Sequence, residues 1–194
     1  MRPGWNHNIH YHPLVLRAIP EGSVRVLDVG CGCGALAREL RSLVPRVTGI
    51  DRDEASVIRA RRLGPDDIEY VLGDILDHPF APGSFDAVVS IASLHHMDMR
   101  AGLARMRELA RPGGRLVVVG IARSRYPADL PADVAGFVAS RLLRPGRSWT
   151  EQSAPTVWPP PVTFGEARRI AEDTLPGVRY RRLLLFRYSL IWSR

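Results

Sequence analysis

The sequence predicts an α/β fold: a doubly wound, mostly parallel sheet of seven strands that ends in an antiparallel hairpin. Three observations carry this. Short apolar runs alternate with stretches of helical spacing from Val24 to Gly120, the rhythm of a parallel sheet covered by helices on both faces. Each run is bounded by turn residues, as buried strands are. The last two runs, Val178–Leu185 and Arg187–Trp192, lie too close together for a crossover, so if they pair at all they must pair antiparallel.

The elements follow in order. Residues Met1–His12 show no clear period and hold three of the six histidines. Pro13–Ile19 reads as a short helix and Val24–Val29 as the first strand. In Ala35–Leu43 the residues Leu36, Leu40 and Leu43 share one helical face. Arg46–Ile50 is the second strand, and Asp53 is placed to cap a helix over Glu54–Leu63. Ile68–Leu72 and Phe85–Ser90 are the third and fourth strands. A helix over Arg100–Ala110 is stopped by Arg111-Pro112-Gly113-Gly114, and Arg115–Gly120 is the fifth strand. Beyond Ile121 come a helix over Pro131–Leu142 and a Pro-rich loop, Arg144–Pro161. Thr163 with Glu166 then forms a capping box that opens a helix to about Leu175. The chain shows no internal repeat and no domain boundary.

Composition bounds the function. A length of 194 residues with 45% hydrophobic residues suits one domain with a sizeable core. The net charge is +7, and every one of the 27 basic residues is arginine. They are spread from Arg2 to Arg194 rather than gathered in one run, which argues against a nucleic-acid partner. No apolar run approaches the ~20 residues that span a bilayer, and the N-terminus is polar, so no membrane role is read and the chain is expected to be cytoplasmic. The two cysteines, Cys31 and Cys33, are too close for a stapling disulfide and do not have a zinc spacing. His7, His10 and His12 have unhelpful spacing and no neighbouring carboxylate, so no metal site is expected.

The strongest local signal is Asp28-Val29-Gly30-Cys31-Gly32-Cys33-Gly34, where a strand becomes a helix. Glycines let a backbone approach a ligand closely, and the following helix points N–H groups at it. Gly30-x-Gly32-x-x-Ala35 with Asp51 about twenty residues on also satisfies a loose dinucleotide fingerprint, so this loop alone leaves NAD(P) open. Three further features favour another nucleotide. Asp28 stands two positions before the first glycine. Gly73-Asp74-Ile75 follows the third strand. Phe85–Ser90 is followed shortly by Leu94-His95-His96-Met97.

From Val24 to Ile121 the chain resembles a class I S-adenosylmethionine-dependent methyltransferase, closest to the small-molecule type related to quinone-biosynthesis enzymes. Val26–Gly34 resembles the family's glycine motif, Gly49-Ile50-Asp51 its acidic strand end, Gly73-Asp74 its adenine site and Arg111–Gly114 its turn before the fifth strand. The resemblance implies a Rossmann-like seven-stranded sheet in the order 3-2-1-4-5-7-6, with S-adenosylmethionine as donor. It implies that Gly30, Cys31 and Gly32 line the methionine part, with Asp28 orienting the loop and the amine. Asp51 would take the ribose hydroxyls, Arg52 would pack beside the adenine, and Gly73, Asp74 and Ile75 would meet the adenine edge. Ser90 and Ile91 at the end of the fourth strand, and Tyr11 from an N-terminal lid, would complete the donor contacts. A single domain over residues 1–194 then divides into a lid (1–22), a donor core (23–121), an acceptor-side insertion (122–162) and a helix with terminal hairpin (163–194).

The acids make chemical sense beside that donor: Asp28 faces an ammonium, Asp51 accepts from vicinal hydroxyls, and Asp74 accepts from an amino group. His96 and His95 follow the fourth strand, where the methyl would project, and a neutral imidazole there could take a proton from a hydroxyl acceptor. Arg123 and Arg125, just after the fifth strand, are placed to hold an acidic acceptor. Trp149 and Trp158 flank the Pro-rich loop and could line its pocket. The expected function is methyl transfer to an oxygen of a small-molecule acceptor. The rivals are an RNA methyltransferase, a donor-binding protein without transfer, and an NAD(P) reductase. The base-amine motif Asn/Asp-Pro-Pro-aromatic is absent after the fourth strand, where Ser90-Ile91-Ala92-Ser93 stands. The acceptor's identity and the oligomeric state are not encoded in any motif.

Overall fold

In the central strands, side chains one residue apart go to opposite faces, and both faces are apolar, so both must be covered. The computed structural model describes residues 4–143, 148–149 and 158–194. Its main strands are β1 (Arg25–Val29), β2 (Arg46–Asp51), β3 (Ile68–Leu72), β4 (Phe85–Ile91), β5 (Ala110–Ile121), β6 (Arg179–Leu183) and β7 (Arg187–Ser193). They form one sheet in the order β3-β2-β1-β4-β5-β7-β6. The first five run parallel, and β7 runs antiparallel to both of its neighbours. This is the expected topology, hairpin included.

The helices are α1 (His12–Ala18), α2 (Ala35–Arg41), α3 (Glu54–Leu63), α4 (Met99–Leu109), α5 (Leu130–Leu143) and α6 (Phe164–Thr174). On one face of the sheet Leu116, Val118, Tyr188 and Leu190 pack with Leu103 and Met106 of α4 and Ala167 and Ala171 of α6. On the other, Val117, Val119 and Val26 pack with Val15 of α1, Leu40 of α2 and Val57 of α3. The alternation Leu116/Val118 against Val117/Val119 is the strand period read through both layers. Asp53 caps α3 by accepting from the Ser56 N–H at 2.9 Å, and Thr163 with Glu166 forms the full capping box of α6.

Two segments differ from expectation. Arg111–Gly114, read as a turn before the fifth strand, lies inside β5 as a bulge: Phe85 pairs with Ala110, and Ala87 with Arg115. The chain's last residue holds the bulge, since the Gly113 N–H donates to Arg194 O at 2.9 Å and the Arg194 N–H donates to Gly114 O at 3.0 Å. The N-terminal segment, read as having no period, is ordered by side chains. Asn6 Oδ1 accepts from the N–H groups of Asn8 and Ile9, both at 2.9 Å, and Gly4–Trp5 pairs in parallel with Ser148–Trp149. Most of the expected loop Arg144–Pro161 lies outside the described residues.

Candidate active site

The parallel strands all end at one edge, and the connections leaving them there surround a cavity of about 710 Å³. An open α/β sheet binds its ligands at this edge. Each strand end supplies a different chemistry.

After β1, the N–H groups of Gly30 and Cys31 both donate to Ile50 O, at 2.8 and 3.1 Å, which folds the loop back over β2. Gly30 has φ +72°, and a Cβ there would come within 2.1 Å of Ser93 Oγ. Only glycine lets the loop lie against the turn after β4. Gly32 has φ +52° and faces open space, leaving its backbone exposed to a ligand. Asp28, one residue inside the end of β1, is buried, and its Oδ2 has no hydrogen-bond partner among the described residues. Burial, aided by the charge of Asp51, pushes its carboxyl up to about 7. An unpaired buried carboxylate is costly and calls for a cation. Burial, with Asp28 and Asp51 adding to it, also pushes the Cys31 thiol far above its usual range, so this cysteine is a packing group rather than a nucleophile.

At the end of β2, Asp51 accepts from Gly32 N–H through Oδ2 at 2.8 Å and from Asp53 N–H through Oδ1 at 2.9 Å. Each carboxylate oxygen can accept twice, so one site on each remains for a ligand. After β3, Asp74 Oδ1 accepts from Leu76 N–H at 2.9 Å. Its Oδ2 accepts from Arg52 Nη1 at 3.2 Å, and Arg52 Nη2 donates to His96 O at 3.0 Å. Arg52 thus ties the turn after β3 to the turn after β4. The expected residues Asp28, Gly30, Cys31, Gly32, Asp51, Arg52, Gly73, Asp74, Ile75, Ile91, His95 and His96 all line the one cavity.

Two expected donor residues do not line it. The Tyr11 hydroxyl donates to Leu184 O at 2.7 Å, which turns the ring into the packing against the terminal hairpin. Ser90 is fully buried within β4 and donates from Oγ to Val29 O at 2.9 Å, a bond between neighbouring strands. Arg123 and Arg125 do not line it either. They are exposed, and Arg123 bridges to Thr163 at the start of α6. Trp158 does line the cavity while remaining 74% exposed; the Trp149 side chain lies outside the described residues.

Beyond β4, Ala92 takes a left-handed φ of 52°, a strained conformation for a residue with a Cβ. It swings the chain so that His95 and His96 face the cavity. Their rings lie 4.0 Å apart. His95 is buried with Nδ1 lacking a partner among the described residues; burial, with His96 and Arg187 beside it, lowers it to about 4. Burial and Arg52 lower His96 as well, against an opposing pull from Asp51. Both rings are therefore neutral at pH 7.

Among the lining residues not singled out from the sequence are His7 and Asn8, which lie within the expected lid, and Phe186 and Arg187, which no motif signalled. They come from the N-terminal segment and the terminal hairpin, which meet through Arg187 and Asn8. An arginine opening an otherwise buried strand was the one available signal.

The methyltransferase domain family matches residues 27–118. An uncharacterized methyltransferase of Mycobacterium bovis is 40% identical over 190 residues, covering 97% of this chain and 96% of that protein. A demethylmenaquinone methyltransferase of Beutenbergia cavernae is 33% identical over 171 residues, 82% of this chain and 68% of that one. Among solved structures, the N-methyltransferase NodS of Bradyrhizobium japonicum superposes with a TM-score of 0.66 at 19% identity, covering 96% of this chain and 95% of that one. A SAM-dependent methyltransferase of Aquifex aeolicus gives 0.64 at 18%, covering 94% and 88%. At those identities the likeness is one of fold.

Proposed function

The chain belongs to the class I S-adenosylmethionine-dependent methyltransferases, and from that premise we propose that its cavity serves methyl transfer to an oxygen of a small-molecule acceptor. The observation that carries this is Asp28 Oδ2, which has no hydrogen-bond partner among the described residues and is buried at the head of a cavity that also holds Asp51 and Asp74. The site wants a cation flanked by hydroxyl and amino donors, and S-adenosylmethionine offers all three. It supplies, when bound, a methyl group on an activating sulfonium.

The chain's residues then bind, orient and exclude water. Asp28 would hold the amine, Asp51 the ribose hydroxyls through its two remaining acceptor sites, and Asp74 the adenine amino group. Gly30, Cys31, Gly32, Gly73, Ile75 and Ile91 would supply the walls, and Arg52 would lie beside the adenine. The N-terminal segment would act as the lid, with His7, Asn8 and His12 among the cavity's lining residues. Holding the two reactants in line is most of the catalysis such a transfer needs.

Where the acceptor is a hydroxyl, its proton must leave. His96 suits this better than His95. A proton on His95 would sit buried beside His96 and Arg187 with no opposing charge, whereas His96 is half-buried and Asp51 opposes the effect of Arg52. A small acceptor is favoured because the cavity is concave and because one relative is named for demethylmenaquinone.

The test is to supply methyl-labelled donor with pooled small hydroxylated and carboxylated compounds, and separately with total RNA. Label in an extractable small product, with stoichiometric S-adenosylhomocysteine, is the expected result. Label in RNA alone, or donor binding with no transfer to any acceptor, would overturn it.

A further inference from the structure

Because β7 runs antiparallel, its first residue arrives at the edge where the parallel strands end. Arg187 pairs there with Ile121, the last residue of β5. Arg187 lines the cavity yet is only 9% exposed. Nε and Nη2 donate to Asn8 Oδ1 at 3.3 and 2.8 Å, and Nη1 donates to Leu185 O at 3.2 Å. These acceptors are neutral. Among the described residues no carboxylate pairs with Arg187, whereas Arg182 in the same hairpin is paired with Asp129 and Asp133. Of the five N–H groups of a guanidinium, one on each Nη is left over. A buried cation with spare donors and no counter-charge is a site for an oxyanion.

The position of Arg187 says which oxyanion. Between Asp51 and Arg187 lie the ends of β1, β4 and β5, so the two are roughly 19 Å apart across four strand spacings. The acids Asp28, Asp51 and Asp74 mark one end of the cavity, and Arg187 marks the other. Burial chiefly depresses Arg187, to about 10, and its charge in turn acts on His7, Tyr11 and His95. Ile121, which pairs with Arg187, and Phe186, next to it in the chain, add apolar lining at this end, and Trp158 also lines the cavity.

We propose that Arg187, held by Asn8, recognises a carboxylate carried on an otherwise apolar acceptor, and so sets the enzyme's substrate class. This rests on the methyl-transfer reading of the same cavity. The donor's own carboxylate is the other source of such an anion.

The test is calorimetry on the full chain, with and without S-adenosylhomocysteine, using octanoate against octanamide and benzoate against benzamide. The acid of at least one pair should bind at least tenfold tighter than its amide. Arg187→Gln should erase that preference and leave S-adenosylhomocysteine affinity within twofold, and Arg187→Lys should retain part of the preference. Equal binding of acid and amide to the wild-type chain would overturn the proposal whether or not the variants fold. A tenfold loss of S-adenosylhomocysteine affinity in Arg187→Gln would also overturn it, by assigning Arg187 to the donor. Failure of S-adenosylhomocysteine to bind the wild-type chain would count against methyl transfer instead, since the acid preference is read without it.

Discussion

Asp28 is held in a state that favours ligand over fold. Its carboxyl is raised to about 7 by burial and Asp51, so the free folded protein keeps a proton there that the unfolded chain loses near 3.8. That contribution to stability is present at low pH and is lost as pH rises through 7. A bound ammonium reverses the preference and expels the proton. Donor affinity should therefore fall about tenfold for each unit of pH below 7, with proton release measurable in buffers of different ionisation enthalpy. Asp28→Asn should abolish that dependence, weaken donor binding, and raise the melting temperature of the free protein at pH 8 by a few degrees. His95 runs the other way: lowered to about 4, it stabilises fully above 6.5 and loses its contribution as pH falls toward 4. For catalysis, His96→Gln should lower kcat by ~10²-fold or more while S-adenosylhomocysteine affinity is kept. Full turnover in both His96→Gln and His95→Gln would mean the acceptor arrives already ionised.

At the level of elements, legibility followed range. Asp53 capping α3 and Thr163 with Glu166 opening α6 were readable because cap and helix are contiguous. The bulge in β5 was not, because its partner is Arg194, some eighty residues further along the chain. The same holds at the site. Asp28, Asp51 and Asp74 could be placed because each ends or follows a strand of recognisable spacing. Arg187 could not, since it reaches the cavity only when an antiparallel strand brings it beside Ile121. Tyr11 and Ser90 lie outside the cavity lining for a related reason: carbonyls of Leu184 and Val29 take their hydroxyls, and neither acceptor is signalled by local sequence. The cap on α6 makes a clean test of an element remote from the chemistry. Thr163→Ala should cost about 1 kcal/mol of stability, read by denaturant titration, without changing donor affinity.

For the molecule as a whole, β7 joins the two layers. It carries Tyr188, Leu190 and Trp192 into the core and separates β5 from β6. Burying three such side chains contributes roughly 1.5–3 kcal/mol each, comparable with the whole stability of a domain of this size, about 5–15 kcal/mol. A chain ending before Arg187 should show no cooperative melting transition; a wild-type melting curve would show that β7 is dispensable. The same strand closes the cavity at its basic end while the parallel strands supply its acidic end, so fold and charge asymmetry are one arrangement. Among the described residues no helix is long and apolar enough to cross a membrane.

The central claim is that the acidic end of this cavity receives the adenosyl donor. The most direct measurement is a calorimetric titration of the wild-type chain and Asp51→Ala with S-adenosylhomocysteine, with NADH as the comparison ligand. The account predicts one saturable site for S-adenosylhomocysteine, none for NADH, and affinity weakened about 10–100-fold in the variant, the worth of a charge-assisted hydrogen bond at roughly 1.5–3 kcal/mol. NADH binding without a response to S-adenosylhomocysteine, or an Asp51→Ala chain that binds as tightly as wild type, would contradict it.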